Sequence, residues 1–559
     1  MRDFATVQEA GETFSREYWA MYPRERALFN YYPGGAAHAG IHTGDGLVAD
    51  YTPASVAARL RAVEAWQAAL VALTPRAMTP GDRRDLAILR WVAGAERFTL
   101  TEIRPHRTVP AHYADTVDIS GYLRRDYAPF EERLRGLAAH LERLPDALAI
   151  ARANLDTPVA AAQLAQARAS FSGHVTFIGD DLDALVAPCG DGVLKGRIGR
   201  AAAGAVEALR AFDTFLVGKA AQAPEADYAL GTARFTGLLR AFELVDLPLE
   251  ALRRHGQDDL DRNRGLLAEA CARLDPATPP QELVARLARD HPTADGLIPA
   301  TVATLEALRD FTIARDLVGV PTEERCDVSA IPPYYKWAFA MMDYPGAFEP
   351  EGSGAHYWMN PPDPAWPAAD REAWLRRFSY ASVVNTSAHE AYPGHFVQSM
   401  HNRRAPSPIA RSFGAFTHWE GWAHYVEEML LDGGYGADDP ALRIAQFQAA
   451  LLRDARYLAA IGLHCDGMTV DEATALIVDA TGLERLPAYH EALRGTFDPG
   501  YGSYALGKLL IRKLRRDAER EQGAAFTPRA FHDAILAHGG PPFAILRPLV
   551  LRQDDGQLL

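Results

Sequence analysis

Cysteine is scarce in this chain: its four residues, Cys189, Cys271, Cys326 and Cys465, lie far apart with no CxxC spacing. That argues against a disulfide framework and leads us to expect reduced thiols in a cytoplasmic protein. Long apolar runs are also missing. No stretch approaches the ~20 residues needed to span a bilayer, and the N-terminal MRDFATVQEAGETFSREYW carries charges where a signal peptide needs an unbroken apolar core. Neither a membrane nor export is therefore expected. Cations are in the minority, with 58 Lys and Arg against 72 Asp and Glu and a formal net charge of -14. Such a chain repels polyanions, and no segment interleaves cations with aromatics, so nucleic acid is not an expected partner. The main basic run, Arg512, Lys513, Arg515 and Arg516, is followed by acidic residues on helix-like sequence and reads as a solvated face.

What is present is ordinary globular composition, 48% hydrophobic and 23% charged over 559 residues, enough to bury a large core. Up to about residue 320, segments such as SVAARLRAVEAWQAALVAL and IGRAAAGAVEALRAFDTFLVGKAA show helical spacing, and YYPGG, LDPATPP and GVPTEE punctuate them as turns. The composition shifts between Ile331 and Trp366, where Pro, Gly and aromatic residues displace helix formers. Ala347–Phe348–Glu349 and His356–Tyr357–Trp358–Met359 are candidate arms of a hairpin, whose edge strand could hold an extended peptide; an irregular loop is the alternative. Helical periodicity resumes at Asp370 and continues through the last third, which holds all the candidate chemical residues.

There, His389-Glu390 stands six residues ahead of His395 in HEAYPGH. The helical zinc motif HExxH needs a spacing of four, and six on an unbroken helix would point the rings about 240° apart. Pro393 and Gly394 lie inside the interval, however, and a bulge or kink there could return His395 to the metal. Two blander readings compete: Ser387-x-x-Glu390 also matches a capping box, and either histidine could be a hydrogen-bonded core residue. Downstream, Thr417, Glu420, His424 and Glu427 share one face of an aromatic-rich segment, where a buried carboxylate is costly unless paired or metal-bound. Glu420, twenty-five residues after His395, suits a third zinc ligand with water in the open position, or else a salt bridge to an arginine such as Arg411.

These residues resemble the bacterial family catalogued as domain of unknown function 885, marked by HEAYPGH followed by EGWA-x-Y-x-E, here Glu420 to Glu427. GLHCDGMTVDEA from Gly462, EALRGTFDPGYGSYALGKLLIRKLR from Glu491 and FHDAILAHGGPP from Phe531 extend the likeness over residues 330 to 550. Many family members carry PGQALSY where this chain has Pro499-Gly500-Tyr501-Gly502-Ser503-Tyr504. The family is similar to thermostable carboxypeptidase Taq and, more distantly, to thimet oligopeptidase and angiotensin-converting enzyme. The resemblance implies a mainly α, multi-helix zinc-peptidase-like fold around a deep cleft, with a small β element near the metal. Residues 1–330 would form a helical scaffold on one side of the cleft and residues 331–559 the metal-binding catalytic half, the two being compatible with one continuous domain.

It further implies a gluzincin, with His389, His395 and Glu420 on Zn2+ and Glu390 as general base toward a zinc-bound water. Tyr504, then Tyr501 and His424, are the candidates for stabilising the oxyanion. Arg494, Arg456, Lys508 and His464 are candidates for a cationic wall that receives a substrate carboxylate, each with structural ion pairing as its alternative. The expected activity is zinc-dependent hydrolysis of a peptide or peptide-like amide, with carboxypeptidase action first in line and a homodimer allowed. A binding protein on a peptidase fold and a non-haem iron oxygenase are the alternatives.

Overall fold

The computed structural model describes residues 4–24, 35–73, 78–155, 158–222, 227–332, 336 and 338–559. It is mainly helical, with one three-stranded sheet. Local chemistry sets many helix starts. Thr79 with Asp82 and Thr469 with Glu472 form capping boxes, each threonine accepting from the backbone three residues on while the acid accepts from the threonine amide. Long helices then pair along their lengths: Phe130–Asn154 with Gly192–Gln222, and Leu249–Leu274 with Pro440–Cys465. The largest apolar cluster runs from Val7 to Leu551 and draws on both halves of the chain. In it the first helix, Val7–Met21, places Phe14, Tyr18 and Trp19 around Phe413. Among the described residues no helix is long and apolar enough to cross a membrane, and all four cysteines are free. The basic run is a paired face: Arg512 reaches Asp259, Lys513 Asp517, and Arg515 Glu519.

The sheet has the order β1-β3-β2, where β1 is Asp327–Ala330, β2 Ala340–Asp343 and β3 His356–Met359. β1 runs parallel to β3, and β2 antiparallel to it with Ala340 opposite Met359. The expected second arm is thus β3, but its antiparallel partner is Ala340–Asp343 and not Ala347–Glu349. Pro345 and Pro350 bracket the latter segment and keep it out of a ladder. It folds back instead onto helix Ala36–Ala39, with Phe348 N donating to Ala39 O at 2.9 Å. A Cβ on Gly346 would sit 2.5 Å from that helix's backbone. Residues 333–335 and 337 of the Pro- and aromatic-rich stretch lie outside the described residues.

Candidate metal centre

The six-residue histidine spacing is accommodated by two helices in place of one bulged helix. Ser379 caps helix Tyr380–Glu390 by accepting from Ser382 N, so Ser387 is a mid-helix residue and not a cap. The helix ends directly after the His-Glu pair, and a new one, His395–Asn402, begins at the second histidine. Pro393 and Gly394 make the reversal between them. A Cβ on Gly394 would lie 1.7 Å from His389 O, so only glycine allows this approach. Trp422 Nε1 donates to Pro393 O at 3.0 Å and ties the turn to a third helix of the site, Phe416–Asp432.

Glu420 comes from the first turns of that third helix, whose own start is satisfied by the buried Glu243 accepting from Thr417 N at 3.1 Å and from the Thr417 hydroxyl. Burial pushes the Glu243 carboxyl up to about 7 against those bonds. The helix packs at backbone distance on Ser503–Gln522, where a Cβ on Gly507 would lie 2.0 Å from Thr417 O and one on Gly421 2.5 Å from the Gly507 Cα.

Three donors converge as a result. His389 Nε2 and His395 Nε2 each lie 3.3 Å from Glu420 Oε2, and one ligand atom from each residue falls within 4.8 Å of the other two. At 3.3 Å the approaches are close enough for ion pairing yet not aligned as hydrogen bonds, which leaves Glu420 Oε2 buried without a donor. A buried carboxylate oxygen facing two imidazole nitrogens is a donor set that a divalent metal ion can take, and zinc is among the ions that fit it. Arg411 does not pair with Glu420; it donates to Ala405 O. Burial works against charge at both partners, but Glu420 and Glu427 raise the His389 ring to about 9, and His395 and His389 hold Glu420 well below the usual carboxylate range.

Behind the histidine stands Glu427, 2.8 Å from His389 Nδ1 through Oε1. Asn385 Nδ2 donates to its other oxygen at 3.0 Å, and Arg453 Nη2 lies 3.0 Å from Oε1. Burial opposes this charge, while Arg453 and His424 hold the Glu427 carboxyl well below its usual range. Glu390 is anchored on the other side, where Met342 N of the edge strand β2 donates to its Oε2 at 3.1 Å.

These groups open into a cavity of about 1840 Å3 lined by His389, Glu390, His395, Glu420, Tyr504, Arg453, Arg456 and Arg494, with β2 along one wall. The Tyr504 ring stacks 6.2 Å from that of His389, and the guanidiniums of Arg456, Arg494 and Arg453 lie 5.6, 5.8 and 5.9 Å from its centre. Burial and Glu420 push its hydroxyl up to about 12, against the pull of the arginines. Arg494 and Arg456 are already matched, to Asp498 at 2.9 Å and to Glu491 at 2.8 Å.

The other four candidates are not brought to the cavity. His424 is fully buried against Glu427, and its ring is lowered to about 3 by burial and then by Lys508. Lys508 pairs with Glu428 at 2.7 Å in the core. His464 donates through Nε2 to Gly495 O at 2.8 Å and is lowered to about 4 by burial. Tyr501 is fully buried beneath Gly495. Conversely Asn385 and Arg453 went unassigned in the sequence. Asn385 could have been found from its position four residues before His389 on one helix, and Arg453 from its spacing of three from Arg456.

The family model described as "Bacterial protein of unknown function (DUF885)" matches residues 33–550. No curated protein matches. Two solved structures are similar across 98% of this chain. One, from Shewanella oneidensis, is described as a candidate lipoprotein of unknown function; it is 22% identical, with a TM-score of 0.80 over 100% of its own length. The other, described as a candidate lipoprotein from Colwellia psychrerythraea, is 16% identical, with a TM-score of 0.81 over 99%.

Proposed function

Since this chain belongs to DUF885, a family of bacterial proteins of unknown function, its activity has to be argued from the site itself, and we propose zinc-dependent hydrolysis of peptide or peptide-like amide bonds. One observation carries the reading: a carboxylate, Glu390, adjoins the convergent His389, His395 and Glu420 and has one oxygen anchored by the Met342 amide. Such an arrangement, with Glu390 lining the same cavity and pairing with no cation among the described residues, supports a general base over a structural ion-pair partner.

His389, His395 and Glu420 would hold the ion. Zinc supplies there a Lewis acid for a carbonyl and brings the pKa of water near ~7. Glu390 takes a proton at its unanchored oxygen and returns it to the leaving nitrogen. Tyr504 keeps its own proton at neutral pH and donates a hydrogen bond to the developing oxyanion. β2, at the sheet edge and on the cavity wall, offers backbone groups to an extended substrate.

The test is a peptide-library digest with wild type and Glu390→Gln, both assayed for bound metal. The reading expects new peptide termini from the wild type, and in the variant retained zinc with turnover lower by several orders of magnitude. Equal digestion by the two proteins, or iron with oxygen consumption, would overturn it. Four free thiols fit residence in the cytoplasm, while the two solved relatives are described as candidate lipoproteins; cell fractionation decides the location.

A further inference from the structure

A peptide carries a carboxylate, yet the cavity arginines nearest the metal donors have theirs already. Arg494 gives two hydrogen bonds to Asp498 Oδ2, Arg456 holds Glu491, and Arg453 holds Glu427. Arg377 is different. It lies just before the Ser379 cap, at the opposite end of the helix that carries His389, and it also lines the cavity. Its guanidinium sits 4.6 Å from the ring centre of Phe339 and 4.8 Å from that of Trp374. No carboxylate of the described residues comes within ion-pair distance of it. Glu491 acts on it only from farther away and is shared with Arg456. Water reaches the side chain, although the surrounding protein desolvates its charge enough to lower its pKa; an arginine stays charged regardless.

The rings beside it form an aromatic cluster: Phe339 stacks on Phe378 at 3.9 Å, and Trp366 meets Trp374 edge-on at 5.4 Å. A guanidinium that lies over aromatic rings and has no carboxylate partner keeps N–H donors free for a planar anion. Between it and the metal donors runs the 11-residue helix Tyr380–Glu390, about 16 Å at 1.5 Å per residue. An extended peptide advances about 3.3–3.6 Å per residue. The strand supplies the measure: Phe339, against Arg377, and Met342, whose amide holds Glu390, stand three positions apart, so the span along β2 is about three residues.

We propose that Arg377 receives the carboxylate of a short peptide, with Phe339, Trp374 and Trp366 taking the apolar side chain beside it, so that the anion sits about three residues beyond the bond at the metal centre. Which bond is broken rests on the hydrolase reading; the anion receptor does not.

The receptor is therefore tested by binding. Full-length Glu390→Gln, with Arg377 intact or as Arg377→Met, is titrated with fluorescein-labelled Ala-Ala-Ala-Ala-Leu-Phe as free acid and as C-terminal amide. Methionine keeps an apolar stem on the two rings, and Arg377→Lys serves as the charge-retaining control. With Arg377 the acid should bind at least tenfold tighter than the amide; in Arg377→Met the ratio should fall to within twofold, and in Arg377→Lys it should lie between. An amidated peptide with Asp in the last position identifies a side-chain source if it regains the preference with Arg377 only. No acid preference in the parent, no binding of any of these peptides, or a preference that survives in Arg377→Met overturns the proposal. For peptides the wild type cleaves, C-terminal fragments of two to four residues are expected, and release of single amino acids would refute the spacing.

Discussion

His389 and Glu427 meet through Nδ1 and Oε1 at 2.8 Å, which makes Nδ1 the donor and, once the ring is neutral, leaves the lone pair on Nε2 facing the cavity. Glu427 is fixed in turn by Asn385 and Arg453. Orienting carboxylates of this kind raise the basicity of a metal-ligating histidine. Glu427→Gln should therefore weaken zinc binding by about 10–100-fold, read by competition with a chromogenic chelator, while circular dichroism stays unchanged. Unaltered affinity would make the contact purely structural.

The metal-free protein should respond to pH through His389. Burial disfavours its charged ring, but Glu420 and Glu427 raise it to about 9, above the ~6.5 of an unfolded chain. A raised folded pKa contributes stability that is fully present below pH ~6.5 and lost as pH climbs through the folded value. Chelator-treated protein should accordingly lose Tm between pH 7 and 9.5, and zinc-loaded protein should not, because the metal requires the neutral ring. Zinc binding at pH 7 should release a proton, visible as a calorimetric enthalpy that varies with the buffer's ionisation enthalpy.

Tyr504→Phe removes a hydroxyl and leaves the ring stacked by His389. If that hydroxyl serves the oxyanion, kcat should drop by about 100-fold or more with KM nearly constant. Bound zinc should be unaffected. A rise in KM at constant kcat would instead mark Tyr504 as a substrate contact.

Gly507→Ala pushes a methyl into Thr417 O, 2.0 Å from its Cβ. Because Glu420 and Tyr504 sit on the two helices that meet there, the cost should appear twice. Urea unfolding should register a loss of about 1–3 kcal/mol or more, and metal affinity should fall with it. Gly199→Ala, whose Cβ meets nothing within 4 Å, should be neutral or slightly stabilising.

Helical bulk is legible in the sequence because spacing of Ala, Leu, Arg and Glu is a local property, and the turn at Pro393-Gly394 is legible because few residues tolerate it. What the spacing could not supply is which way a buried helix faces. His424 follows Glu420 by four residues, a rotation of only about 40°, yet Glu420 meets the histidines while His424 turns into the core against Glu427. Lys508 is ambiguous for a related reason: a cation reads the same whether its partner is a ligand or, as with Glu428, a neighbouring helix. The antiparallel partner of β3 lies ahead of Pro345-Gly346 and not after it, at Ala340–Asp343, and nothing local to the sequence distinguishes the two sides of that turn.

The aromatic contact between the first helix and Phe413 has a consequence for synthesis. Phe14, Tyr18 and Trp19 emerge ahead of Phe413, and this ring that completes their cluster follows about 400 residues later. At ribosomal rates of about 5–20 residues per second that interval is roughly 20–80 s. Throughout it the nascent chain carries an unfinished apolar face, and helix Val7–Met21 completes its packing only as the segment around Phe413 leaves the tunnel.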